Sequence, residues 1–303
     1  MNSTTARRMD WQDWALLVLL SVLWGGSFFF AKIAVGAIPP LTVALCRVAL
    51  AALTLYALGR LLKIAIPCDG LFWRDVFIMG LLNNAIPFSL IFWGQQAIGA
   101  GLASILNATT PVFTVLVAHV FTADERVGPL KLIGVLFGIA GVAVMVGSDA
   151  LAGFGNHLWA ELAVLAAALS YGFAGVFGRR FKSRPPLMVA AGQLTGSTCW
   201  LLLPVLLLDR PWSLDFPGWR VAGAVIALAL LSTALAYLIF FRILRRAGAT
   251  NLSLVTLLIP VSAVLLGVGF LGEVMEVHHL AGMGLIALGL AAIDGRLWRL
   301  IRA

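Results

Sequence analysis

The side chains able to do chemistry in this 303-residue chain are polar groups set inside long apolar stretches. Asn84, Pro87, Phe88, Ile91 and Gln95 follow an i, i+3, i+4, i+7, i+11 spacing, so they share one helical face, with Asn83 beside them. Asn107, Thr110, Pro111 and Thr114 define a second such face, and Ser253, Thr256 and Pro260 a third. Ser232, Thr233 and Tyr237 add an i, i+4 pair with a neighbouring hydroxyl. Two cations, Lys32 and Arg47, also lie within apolar runs, where each costs roughly 2.5–3.5 kcal/mol on the insertion scale. Groups of this kind recognise rather than react: amides and hydroxyls exchange hydrogen bonds, and a fixed cation attracts a carboxylate.

Covalent catalysis lacks its parts. The chain has no HExxH, no GxSxG and no paired acidic residues inside an apolar run; its thirteen Asp and Glu sit in loops or near run ends, with Glu161 and Asp294 closest to entering. The adjacent His278 and His279 lack ligand spacing and read as loop residues, and Cys46, Cys68 and Cys199 form no CxxC pair, so they read as free thiols. No catalytic residue, metal ligand or cofactor is therefore expected. With no carboxylate at mid-run to carry a proton, facilitated movement or exchange is favoured over carboxylate-based proton coupling.

The elements that must position these groups follow from composition. Hydrophobic residues make up 61% of the chain and charged residues only 11%, against roughly 25% in a soluble domain. The apolar runs approach twenty residues, the length of a helix crossing about 30 Å of hydrocarbon, and they are continuous rather than alternating, which excludes a porin-like barrel. The first runs from Trp14 to about Ala34, without the small-x-small site of a signal peptide. Others cover approximately 40–62, 71–97, 100–122, 128–147, 157–178, 187–208, 219–241, 249–271 and 278–295. The expected fold is an all-α membrane protein of ten transmembrane helices.

Placing the basic residues orients it. With the N-terminus inside, 17 of the 21 Lys and Arg fall in cytoplasmic segments, among them Arg7, Arg8, Arg126, the 179–184 cluster, Arg245, Arg246 and Arg296. Only Arg210 and Arg220 lie in an outer loop. The net charge of +8 thus marks orientation and implies no nucleic-acid partner. Trp11, Trp14, Trp73 and Trp298 sit at one interface and Trp159, Trp212 and Trp219 at the other, whereas Trp24, Trp93 and Trp200 lie deeper.

The chain also repeats itself. Pro39-Pro40-Leu41 returns as Pro185-Pro186-Leu187, Leu90-Ile91-Phe92 as Leu238-Ile239-Phe240, and Glu125, Gly134 and Gly141 as Glu273, Gly282 and Gly289. Two units are expected, 1–150 and 151–303. Five crossings per unit would insert the second upside-down, giving inverted repeats around a central cavity, the architecture of alternating-access carriers. The glycines of the fifth and tenth spans form small packing faces, within the fold or between copies.

The Glu-x8-Gly-x6-Gly pattern at 125–141 and 273–289, the mid-span Pro111 and Pro260, and Leu23-Trp24-Gly25-Gly26-Ser27-Phe28-Phe29-Phe30-Ala31-Lys32 together resemble the drug/metabolite transporter superfamily, EamA type. The resemblance covers essentially the whole chain. It implies a multi-pass bacterial inner-membrane exporter of small metabolites such as aromatic or hydrophobic amino acids, with spans five and ten peripheral. The second unit departs from the first: its first-span signature weakens to Leu169-Ser170-Tyr171-Gly172-Phe173, and Arg47 is replaced by Gln193. Trp24, Asn84, Asn107, Tyr171, Thr233 and Tyr237 are the expected cavity lining, with Lys32 and Arg47 on its outer side. The expected partners are a small-molecule substrate and the lipid bilayer, with the chain a monomer or weak homodimer. An intramembrane enzyme, a channel, or a drug or nucleotide-sugar carrier of the same superfamily are the alternatives.

Overall fold

A computed structural model describes residues 9–67, 69–122, 129–146, 157–252 and 254–294. Expectations resting on Arg7, Arg8, Cys68, Glu125, Arg126, Ser253, Arg296 and Trp298 fall outside the described residues. Within them the chain is helical, with no strand. In chain order the helices are α1 (Trp11–Val35), α2 (Pro40–Leu61), α3 (Gly70–Ala97), α4 (Ala100–Phe121), α5 (Pro129–Val146), α6 (Leu158–Phe181), α7 (Pro186–Asp209), α8 (Trp219–Ala247), α9 (Val255–Leu271) and α10 (Val277–Asp294). Counting the described residues alone, seven of these, all but α5, α9 and α10, are long and apolar enough to cross a bilayer; the apolar stretches counted in the other three are Leu132–Val144, Val255–Leu271 and Val277–Ala292. His278 and His279 belong to the first turn of α10 rather than to a loop.

Local chemistry fixes the helix starts. Asp10 caps α1 by accepting from the Asp13 N–H at 2.8 Å, and the Asp13 carboxylate reaches back to the Asp10 N–H, a reciprocal box. Arg246 at the end of α8 then binds both carboxylates, at 3.0 and 2.8 Å. Asp69 caps α3 through the Phe72 N–H and pairs with Arg184 at 2.8 Å. The double prolines open α2 and α7, each with Pro at the first helical position, where the missing N–H costs nothing.

The packing has a regularity of its own. α1 packs on α9 and α6 on α4; α3 on α6 and α8 on α1; α3 on α7 and α8 on α2; while α2 meets α7, α4 meets α9 and α5 meets α10. Exchanging every helix with the one five places on returns the same set. α5 and α10 pack chiefly on each other, through glycine: a Cβ on Gly141 would come 2.8 Å from the Gly282 carbonyl oxygen, and one on Gly289 2.6 Å from that of Gly134. The small faces of these two helices therefore serve the fold of one chain.

α7 ends in a π-turn at Val205–Asp209, and three further helix interruptions lie around the cavity. α3 opens into a π-turn at Leu81–Ala85, and α8 into another at Leu230–Leu235. α4 is broken, its segments being Ala100–Asn107 and Thr110–Phe121, with Pro111 in the first turn of the second. Pro260, the counterpart of Pro111, instead sits inside the continuous α9.

Candidate binding cavity

Eight helices, all but α5 and α10, line one cavity of about 620 Å³. At one end it reaches the exposed Lys182 and the partly exposed Arg184 of the turn between α6 and α7; at the other it stops at Phe28, Gln95 and Ser104, all buried. Aromatic rings from α1, α3, α6 and α8 stand in its walls. Trp24 tilts against Phe240 with centroids 5.7 Å apart, Tyr237 stacks on Phe241 at 6.0 Å, and Phe88 stacks on Phe92 at 5.9 Å.

Arg47 is the charged group set in this wall. It is only 5% exposed and sits on the stripe of α2 that also buries Val43, Ala44 and Val48. Its Nε donates to Thr233 Oγ1 at 2.8 Å and Nη1 to Ser27 Oγ at 2.9 Å, while Nη2 reaches the Ser232 carbonyl oxygen at 3.4 Å. The guanidinium lies over the Phe88 ring, 3.9 Å from its centroid. All of these partners are neutral. Thr233 can be there because the π-turn of α8 widens the helix: its own hydroxyl proton goes to the Leu228 carbonyl, five residues back.

The opposite wall is built from the equivalent position. Gln193, the counterpart of Arg47 in the second unit, donates from Nε2 to Tyr237 Oη at 2.9 Å, and Asn83 Nδ2 donates to the same phenolic oxygen at 3.2 Å and to Gln193 Oε1 at 3.4 Å. Asn83 belongs to the π-turn of α3. Around that turn Ser170 donates to the Leu82 carbonyl at 2.7 Å and Ser197 to the Gly80 carbonyl at 3.0 Å. Such side-chain donors supply partners for backbone at an irregular helix turn. Each unit's α2-type helix thus reaches the π-turn of the other unit with a polar side chain.

Of the residues expected from sequence, Trp24, Arg47, Asn107, Tyr171, Thr233 and Tyr237 line the cavity. Two do not. Lys32 turns away from it and donates from Nζ to the carbonyl oxygens of Gln95 at 2.6 Å and Ile98 at 2.9 Å, so its charge sits on the C-terminal end of α3, where the helix dipole favours a cation. Asn84 is fully buried outside the cavity wall, and neither amide atom finds a partner of hydrogen-bond geometry. The π-turn explains the second displacement: it adds a residue to the turn, so Asn83 and Phe88, five apart, share the cavity face instead of Asn84 and Phe88. Asn83, Gln193, Ser27 and the Phe240–Phe241 pair are lining residues that helical spacing does not single out; Gln193 stands out in the sequence only as the asymmetric counterpart of Arg47. Trp93 and Trp200, deep in their helices, are about half exposed on the outside of the bundle, leaving Trp24 as the deep tryptophan with a place in the cavity.

Beyond the closed end, charge again meets helix termini. Glu273, in the segment after α9, accepts from the N–H groups of Ala100 and Gly101, the latter at 2.9 Å, and so caps the start of α4. Gly99, Gly101 and Gly267 leave the room it occupies. At the start of α2, Asp209 of α7 accepts from both the N–H and the hydroxyl of Thr42, at 2.8 and 2.7 Å.

Among the described residues, no acidic one lines the cavity, and no cluster of His, Cys, Asp and Glu could hold a metal ion. The arrangement can bind and orient a solute. A sequence model of the EamA-like transporter family matches residues 13–147 and again 158–293. The chain belongs to this family. As an EamA-like protein it is a multi-pass membrane transporter and not an enzyme. It is 25% identical to an uncharacterized transporter, YoaV, of Bacillus subtilis (strain 168), over 90% of this chain and 94% of that one. It is likewise 25% identical to an uncharacterized inner membrane transporter, YedA, of Escherichia coli (strain K12), over 91% and 89%. A probable amino-acid metabolite efflux pump of Salmonella typhimurium (strain LT2) is 27% identical over 93% and 94%. A crystal structure of 21% identity superimposes over 92% of this chain and 96% of the other with a TM-score of 0.66, which speaks for the fold alone.

Proposed function

We propose that this EamA-like protein exports small amphipathic metabolites bearing a carboxylate, aromatic or hydrophobic amino acids among them, across the bacterial inner membrane by alternating access. The observation that carries the reading is Arg47: a buried guanidinium in the wall of an aromatic cavity, held by neutral groups and facing no protein carboxylate. A solute carboxylate would complete it, and the aromatic rings would take an apolar body.

In this reading the two units, 1–150 and 151–303, are inverted five-helix repeats and all ten helices cross the bilayer. The matching of the principal helix contacts under exchange supports it, as does the family match to each half. With both termini cytoplasmic, as the basic residues favour, the end carrying Lys182 and Arg184 faces the cytoplasm. The structure then corresponds to an inward-open state, ready to load, with Lys32, Glu273 and Asp209 holding the outer end closed. Rocking one unit against the other would open that end. The chain suffices as a monomer, because the cavity is completed within it.

The test is counterflow in liposomes of the purified protein. Preloaded aromatic amino acids or related acids should accelerate uptake of the labelled solute, saturably, and Arg47→Ala should lower kcat/KM at least about tenfold, the loss of one charge-assisted contact. Non-saturable flux without trans-stimulation would mean a pore; undiminished transport by Arg47→Ala would remove Arg47 from the site.

A further inference from the structure

We infer that the cavity sorts solutes by net charge, taking monoanionic amphipathic acids in preference to zwitterionic amino acids with the same body. The inference rests on the carrier reading and narrows its substrate class.

Charge is unbalanced along the path into the cavity. Among the described residues Arg47, Lys182 and Arg184 line it, and no Asp or Glu does. Arg184 is compensated by Asp69. Arg47 is not compensated at all: its donors meet two hydroxyls and one backbone carbonyl, and its face meets the ring of Phe88. Hydroxyl dipoles and a ring quadrupole steady a cation but do not cancel its charge, so a positive field remains in a low-dielectric space. Lys182 at the mouth has the same sign, which raises the local concentration of anions and repels cations before they enter.

An α-amino acid carries its ammonium one carbon away from its carboxylate. The guanidinium that attracts the second group therefore repels the first, and the field contribution largely cancels. What the ammonium could find in the wall is neutral. Asn107 Oδ1 and Gln95 Oε1 are buried acceptors without partners. Those oxygens would serve an uncharged donor, such as a hydroxyl or ring N–H on the solute body, without leaving a net positive charge to be stabilised. A monoanion gains the full attraction and brings no second charge to desolvate.

Three probes with one aryl body separate these contributions: 3-phenylpropanoate (−1), phenylalanine (zwitterion) and phenethylamine (+1). Binding to the full-length protein in nanodiscs at pH 7, measured by calorimetry, should rank acid above amino acid above amine, with the acid on the order of tenfold tighter than the amino acid. Arg47→Lys, which keeps the charge but loses the planar fork, should bind more weakly and keep the ranking. Arg47→Gln should bring acid and amino acid to within about threefold of each other. The inference is overturned if phenylalanine binds wild-type protein as tightly as the acid. It is overturned equally if the acid's advantage survives in Arg47→Gln. Absence of binding by all three would overturn it together with the carboxylate reading. Saturable counterflow of an uncharged or cationic solute in the same preparation would then leave the carrier itself standing.

Discussion

Asn83 and Asn84 are neighbours with opposite circumstances. Asn83 bonds Tyr237 and Gln193 at the cavity wall, while Asn84 is fully buried beside the Tyr237 hydroxyl, with neither amide atom in good hydrogen-bond geometry. An unpaired buried amide is a cost that an apolar side chain of similar shape removes. Asn84→Leu is therefore expected to leave thermal stability within about 1 kcal/mol of wild type or above it and to keep transport, whereas Asn83→Ala should lower transport several-fold; melting curves and liposome uptake check both. Glu161 is also buried, in the first turn of α6, but it does not line the cavity. Glu161→Gln should accordingly keep transport driven by a pH gradient, and abolition with binding intact would make it a proton carrier. Asp69 acts outside the membrane. The Phe72 N–H, and then Arg184, hold its carboxyl below the usual carboxylate range. A depressed carboxylate contributes stability above the unfolded value of 3.8, which is lost as pH falls through the lower folded value. The acid-induced drop in melting temperature below about pH 4 should be smaller in Asp69→Asn than in wild type, with the two curves parallel above about pH 5.

At the scale of elements, the π-turns of α3 and α8 do the positioning. These two occur at the same place in their units, both face the cavity, and each is engaged by the α2-type helix of the other unit through Arg47 or Gln193. Close helix contact is what lets those side chains reach. A Cβ on Gly80, just before the first π-turn, would fall 2.3 Å from the Gln193 carbonyl oxygen and 2.8 Å from the Ser197 nitrogen, both backbone atoms of α7. Gly80→Ala should therefore destabilise the protein by about 1–3 kcal/mol, the usual cost of overpacking, and should widen the site, raising KM more than it lowers kcat. The two mid-helix prolines differ between the units. Pro111 lies in the first turn after the break in α4, whereas Pro260 lies further into α9, which starts at Val255 after the short helix Ala249–Leu252.

The whole molecule is closed at one end by contacts between charged side chains and helix termini: Lys32 on the C-terminal end of α3, Glu273 on the first amides of α4, and Asp209 on the start of α2. These contacts tie together helices that must separate if the cavity is to open there. Glu273→Gln removes the charge while keeping an acceptor, so the closed end should open more often without unfolding. In a background with Cys46, Cys68 and Cys199 replaced, the buried cavity residue Ser104 changed to Cys should then react several-fold faster with an impermeant maleimide applied from the outer face. An unchanged rate would mean that Glu273 supports α4 without gating the cavity.

The sequence by itself determined the membrane class, the positions of the helices and the internal duplication, because hydrophobic run length and repeated residues are local or one-dimensional properties. It also marked most of the polar lining, since a charged or amide side chain inside an apolar run has few places to go. It did not determine which of two adjacent asparagines faces the cavity, because that depends on a π-turn stabilised by contacts from α6 and α7. Nor did it distinguish the two buried cations. Lys32 and Arg47 both read as intramembrane charges, but only the packed helices decide that one lies at a helix C-terminus and the other against open space. A side chain's partners across a bundle come from residues tens to hundreds of positions away, and that distance is closed only by tertiary packing.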